Sequence, residues 1–253
     1  MNRIATALLW ASLALAAVPP STAKGKVDAW VLKQHSCNMG NFIVTAAPDA
    51  LRIDALAQDY TLLSRAPDWT VFHFNSRLKK FCRAEYKTFI KSGNQPSNTL
   101  GADSEIFLNE RWGDIKPQIS IFRNLKVNSY TCKITGPGRQ HERHDTPLKE
   151  MVIPTLFCQM FTRVDSGWNN CKRDAILKTV YLTPPVSGIP IALLLHRVDG
   201  TIVAWLNTLK ANRLSVDSST FDLPKNLKET SDLSSVLMDW QRNSDVKEML
   251  KFQ

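Results

Sequence analysis

The chain has 253 residues, 43% of them hydrophobic and 22% charged, with 10 Gly and 13 Pro. Those proportions exclude collagen-like, disordered and low-complexity chains and predict a compact fold. Lysine and arginine outnumber aspartate and glutamate by 32 to 23, which gives a net charge of +9, and there are five cysteines.

Arg3 precedes an uncharged apolar run from Ile4 to Val18, which meets Pro19-Pro20 and then Ser21-Thr22-Ala23. A basic start, an apolar stretch and small residues form the pattern of a secretory signal peptide. The run is shorter than the roughly 20 apolar residues that a membrane-spanning helix needs. The predicted leader is residues 1–23, with cleavage before Lys24; cleavage nearer Ala17 is the alternative. Its loss removes Arg3 alone among the charged residues and lowers the charge from +9 to +8. The remainder, 24–253, reads as one β-rich domain that is periplasmic or secreted.

Cys37, Cys82, Cys132, Cys158 and Cys171 all follow the leader, in a compartment where disulfides persist. Two bridges and one remaining thiol are expected, and spacing alone leaves the pairing open. The nearest pair, Cys158 and Cys171, would close a short loop around Ser166-Gly167-Trp168-Asn169-Asn170. No two cysteines stand two to four residues apart, the spacing of zinc fingers and ribbons, so no metal and no cofactor is expected.

Along the chain, Lys26 to His35 fits either a helix or an extended segment. Short apolar runs then recur about every ten residues, the signature of an antiparallel meander: Phe42 to Ala46, Leu51 to Ala55, Tyr60 to Ser64, Thr70 to Phe74 and Phe81 to Tyr86. Pro48-Asp49, Gln58-Asp59, Ala66-Pro67-Asp68 and Asn75-Ser76 supply the turns. Lys91 to Asn98 reads as a polar loop and Ala102 to Trp112 as a short helix. Leu125 to Thr135 is a long strand, Arg139 to Asp145 an exposed loop, and Ile176 to Leu182 another strand. Ile191 to Val198 and Thr201 to Leu209 flank Asp199-Gly200, the chemistry of a two-residue hairpin turn. From about residue 231, Leu233, Val236, Leu237 and Trp240 recur at helical spacing, with Ser231 as N-cap.

No nucleophile elbow, phosphate loop or dinucleotide fingerprint is present. His141-Glu142-Arg143-His144 brings two histidines three apart in a polar segment, whereas the zinc-protease helix needs them four apart. His35, His73 and His196 are isolated in sequence. The expectation is a binding protein with no catalytic residues. The strongest polar feature is a basic run, Arg77, Lys79, Lys80, Arg83, Lys87 and Lys91, opposed only by Glu85. It reads either as a solvated sheet edge that lysines protect from aggregation or as an anion-binding surface raising local anion concentration, with Arg77, Lys79, Lys80 and Arg83 as its candidates. Export disfavours nucleic acid and points to lipid headgroups or another anionic envelope component, with peripheral membrane contact.

Several short patterns carry a resemblance to a known group. They are Leu51-Arg52-Ile53-Asp54 with Asp59-Tyr60-Thr61-Leu62-Leu63, the strand Val127-Asn128-Ser129-Tyr130-Thr131-Cys132, Gly188-Ile189-Pro190 before a hairpin, and Ser219-Thr220-Phe221-Asp222-Leu223-Pro224-Lys225. From Asn41 to Lys225 the chain resembles secreted bacterial proteins of the outer-membrane lipoprotein-carrier superfamily, the LolA/LolB-like group. The resemblance implies a mainly β (α+β) fold: a strongly curved antiparallel sheet or incomplete β-barrel with covering helices and an apolar cavity. The expected function is to hold a lipid, lipidated protein or other apolar ligand in that concavity; no ligand-binding residue of the carriers aligns with a position here, and the candidate lining is the apolar side chains expected on one sheet face, Phe42, Val44, Leu62, Phe72, Phe74 and Trp205. The chain departs from the carriers in its length, its cysteines and the Arg139 to Asp145 loop. The alternative is an envelope module that binds a protein or anionic polymer through its basic surface.

Overall fold

The computed structural model describes residues 25–37, 40–56, 59–92, 111–112, 118–135, 155–163, 168, 170–181, 183 and 186–237. The predicted leader, the Arg139 to Asp145 loop and its histidine pair, and Trp240 lie outside them.

Six strands form an antiparallel meander: β1 (Lys26–Ser36), β2 (Gly40–Ala46), β3 (Ala50–Ala55), β4 (Tyr60–Arg65), β5 (Val71–Asn75) and β6 (Lys80–Ala84). The ambiguous first segment is therefore extended, and the five meander strands lie where the sequence places them. The run from Phe81 stops early, because Tyr86 opens helix α1 (Tyr86–Ser92), which also takes Lys91 out of the predicted loop.

The second half contains β7 (Arg111–Trp112), β8 (Gln118–Phe122), β9 (Leu125–Thr135), β10 (Thr155–Arg163), helix α2 (Cys171–Tyr181), β11 (Ile189–Arg197) and β12 (Ile202–Asp217). A 3-10 turn (Ser218–Phe221), β13 (Lys228–Glu229) and the short helix α3 (Ser234–Leu237) follow. Arg111-Trp112 are thus strand, not the end of a helix. β8 and β9 form a hairpin across Arg123-Asn124, both in the left-handed region with φ of 49° and 65°. That is the backbone of a two-residue primed turn without the usual glycine.

Ile176 to Leu182 is not a strand; its described part, Ile176 to Tyr181, belongs to α2. Asn170 Oδ1 accepts the N–H groups of Lys172 and Arg173 at 3.1 Å each, filling donors that open a helix. Arg173, Ile176, Leu177, Val180 and Tyr181 are buried at helical spacing. β-branched residues in that segment suggest a strand, but the cap and the apolar stripe prevail.

The hairpin at Asp199-Gly200 closes through Arg197 N–H to Thr201 O at 3.0 Å, which leaves three residues in the loop rather than two. Gly200 has φ of 82°, the left-handed residue that a three-residue hairpin requires. At the C-terminal end Asp232, not Ser231, caps α3, accepting Ser234 N–H at 3.0 Å and its hydroxyl at 2.6 Å.

The strands form one large sheet in the order β13-β6-β5-β4-β3-β2-β1-β12-β11-β10-β9-β7, with β8 on β9 beside this path. The chain is mostly β with few helices, and the sheet is open rather than a closed barrel. β12 joins the halves: it pairs with β11 through residues 202–207 and with β1 through 206–217.

Strand alternation gives two apolar faces. The larger core runs from α1 and β5 across to β9, with Leu32, Val44, Ile53, Leu62, Met160 and Leu193 among its buried members, and α2 packs on it. The smaller lies on the opposite side, where Ala29, Ala50, Leu63 and Phe74 meet Phe221 of the 3-10 turn.

Candidate functional site

The six residues assigned to an apolar lining do not share a face. Phe42, Val44 and Leu62 belong to the larger core and are 0% exposed, with half-buried Trp205 against the same cluster. Leu62 stands opposite His73 and Leu63 opposite Phe72 in the β4–β5 ladder. Alternation therefore sends Phe72 and Phe74 to the other face, where Phe72 packs on Phe81 at 6.3 Å between ring centroids. The polar residue between the two phenylalanines, His73, is the one that faces the larger core.

That core is occupied by protein. Tyr181 of α2 lies over Phe42, with 5.3 Å between ring centroids, and Trp205 donates Nε1–H to Tyr181 O at 3.3 Å. Trp69, at a turn in the sequence, is buried in the same cluster.

Buried polar groups hold α2 down. Arg173 and Asp174 pair at 2.9 Å, with side chains 2% and 6% exposed. Arg173 also donates to Ala47 O at 3.0 Å and Trp168 O at 2.8 Å, and Asp174 accepts Gly188 N–H at 2.9 Å. Asn170 Nδ2 reaches Pro48 O at 2.9 Å. At the other end, Tyr181 donates to Gln34 Oε1 at 3.1 Å, while Gln34 Nε2 donates to Pro190 O at 2.8 Å and Thr208 Oγ1 at 2.7 Å. Burial raises the Tyr181 phenol well above its usual value, so the hydroxyl stays a donor. None of these residues stands out in the sequence; the one available signal is a charged pair, Arg173-Asp174, inside an otherwise apolar stripe.

The described histidines, His35, His73 and His196, each have a polar side-chain partner. His73 is buried; its Nδ1 lies 2.7 Å from the Tyr60 hydroxyl, its ring is near Phe89 of α1, and burial pushes its pKa down to about 3. His196 meets Gln159 at 3.0 Å and His35 meets Asn41 at 3.1 Å. Among the described residues no group of three or more His, Cys, Asp or Glu is arranged to hold a metal ion. The Cys158–Cys171 bridge is not formed: Cys158 is fully buried on β10, while Cys171 is exposed at the start of α2.

Among the described residues an open concavity lies at the β3–β4 and β5–β6 turns. It measures about 340 Å³ and is lined by Asp54, Asp59, Tyr60, Thr61, Ser76 and Arg77, with Leu56 at its rim. Arg77 pairs with Asp59 at 3.4 Å. Asp54 is taken up by Arg52, at 2.9 Å, and by the Thr61 hydroxyl, at 2.7 Å. The geometry is that of a polar recess beside a basic turn.

The basic run divides among four places, of which α1 takes Lys87 and Lys91. Arg77 faces the recess, and Arg83 lies on the face of the smaller core, paired with Glu229 at 2.8 Å. Lys79 forms the turn with φ of 52° and Lys80 opens β6. There the sheet adds a residue that the run does not contain: Lys228 of β13 stands opposite Lys80, and its N–H donates to Lys79 O at 2.8 Å. Three lysines thus meet at one end of the sheet, with Asp232 close enough to Lys80 to feel its charge. Sequence separation hid Lys228, since only the parallel β6–β13 pairing brings it there.

No protein-family model and no curated protein matches the chain. Among solved structures it is similar to an uncharacterized conserved protein from Thermus thermophilus, at 7% identity and a TM-score of 0.41, over 80% of this chain and 89% of that one.

Proposed function

We propose that the protein is a non-enzymatic, exported binding module of the cell envelope that docks an anionic polymer, or an acidic protein surface, on the lysine end of its sheet. The carrying observation is the convergence of Lys79, Lys80 and Lys228 beside the polar recess at Arg77. Like charges side by side on adjacent strands repel, and an anion placed across them relieves that repulsion. The filled larger core supports this reading, because it leaves the charged end as the accessible feature. In this proposal the open sheet is a strongly curved, incomplete barrel of the lipoprotein-carrier type, with α1 and α2 as its covering helices.

The test is binding of dextran sulfate, a sequence-free polyanion, to the wild type and to the triple variant Lys79→Glu, Lys80→Glu, Lys228→Glu. Affinity should fall at least tenfold in the variant and should weaken steeply with added salt in the wild type. Equal affinity of the two proteins would overturn the proposal.

A second reading keeps the lipid or lipidated ligand. It draws on Phe42, Val44, Leu62 and Trp205 gathering in one cluster beneath α2. A bound acyl chain would have to displace α2, breaking the Arg173 and Tyr181 contacts, so this reading requires the helix to open.

A further inference from the structure

The β9–β10 ladder sets Cys132 and Cys158 at directly opposing positions, within an unbroken register from Phe157↔Lys133 to Thr162↔Asn128. Opposing residues of an antiparallel pair lie about 4.5 or 5.5 Å apart at Cα, according to whether the position is non-hydrogen-bonded or hydrogen-bonded. Both separations fall inside the roughly 4.4–6.8 Å range that a disulfide spans without moving the backbone. Among the described residues, Cys37, Cys82 and Cys171 are not Cα partners of another cysteine in a ladder. Cys158 is 0% exposed, so a bond formed there would be shielded from soluble reductants.

We infer that Cys132 and Cys158 form a cross-strand disulfide in the oxidised protein. The bond would tie together the two ends of the segment from residue 133 to 157. Its formation joins the two sulfurs and releases two protons and two electrons; a small disulfide oxidant such as oxidised glutathione takes them up and leaves as two thiols. Because the second cysteine becomes buried on folding, the bond is made before or during closure of the β9–β10 pair.

The full chain, refolded from the reduced, denatured state in a buffer of reduced and oxidised glutathione, is alkylated without reduction and digested with trypsin. The expected product is the peptide Val127–Lys133 linked to Glu150–Arg163, separating on reduction, and two fewer alkylatable thiols than in the reduced chain. Reduction should also lower Tm by about 5 °C or more, with no such shift in Cys132→Ser. Recovery of both cysteines alkylated, or Cys158 joined to any other cysteine, would overturn the inference.

Discussion

The side of the sheet on which α2 packs and the lysine end of the sheet use charge in opposite ways. Beneath α2, the Arg173–Asp174 pair is almost wholly buried, and hydrogen bonds tie it to Ala47, Trp168 and Gly188. Beside the lysine end, on the face of the smaller core, Arg83 and Glu229 pair at a similar distance, but their side chains are 65% and 48% exposed. Burial makes the first pair a structural lock, since losing either partner strands a charge out of water. Water and salt screen the second, leaving that end free to exchange partners.

The contrast is broken most strongly at Arg173. Arg173→Ala should cost about 3–5 kcal/mol in urea unfolding, because Asp174 is left buried without its counter-charge; a cost below about 1 kcal/mol would show that α2 is not locked.

Acid tests the same side of the sheet. His73 is held neutral, with its pKa down at about 3 against an ordinary 6.5, so the unfolded chain binds its proton first. Its contribution is complete above pH 6.5 and is lost as pH falls towards 3. By pH 4.5 the loss should be about 3 kcal/mol. Stability measured against pH for His73→Phe should lack that part of the slope; identical slopes would place the acid sensitivity elsewhere.

Tyr181→Phe removes one hydroxyl and deprives Gln34 Oε1 of its donor, with an expected cost of about 1–2 kcal/mol. Arg83→Gln, at the exposed pair, should change stability by less than about 0.5 kcal/mol. A larger effect at Arg83 than at Tyr181 would reverse the assignment of lock and open end.

The sequence is most legible where structure is local. Five meander strands follow from apolar runs and turn residues, because each pairs with its neighbour through a short connection. The β11–β12 hairpin is visible in Asp199-Gly200, although the loop length depends on where Gly200 adopts positive φ. α2 is hidden because Ile176, Val180 and Tyr181 favour strands and outweigh the local cap at Asn170, whereas the Arg173–Asp174 lock acts through contacts to Ala47 and Gly188. β8 escapes notice because its turn, Arg123-Asn124, carries no glycine.

Candidate sites follow the same division. Phe42, Val44 and Leu62 do gather on one face, but whether that face is open or covered depends on a helix distant in sequence. Composition alone groups Phe72 and Phe74 with them, and the pleat sends both to the other face. The basic run is conspicuous in one dimension, yet folding separates Arg77 and Arg83 from Lys80 and brings in Lys228.

Native mass spectrometry of the gently purified protein, followed by titration with a fluorescent fatty acid, bears most directly on the claim that the larger core is sealed and the lysine end is the binding surface. The expected result is the mass of the bare polypeptide and no saturable uptake of the fatty acid. A stoichiometric lipid adduct, or one-to-one uptake that releases α2 to rapid hydrogen exchange, would contradict it.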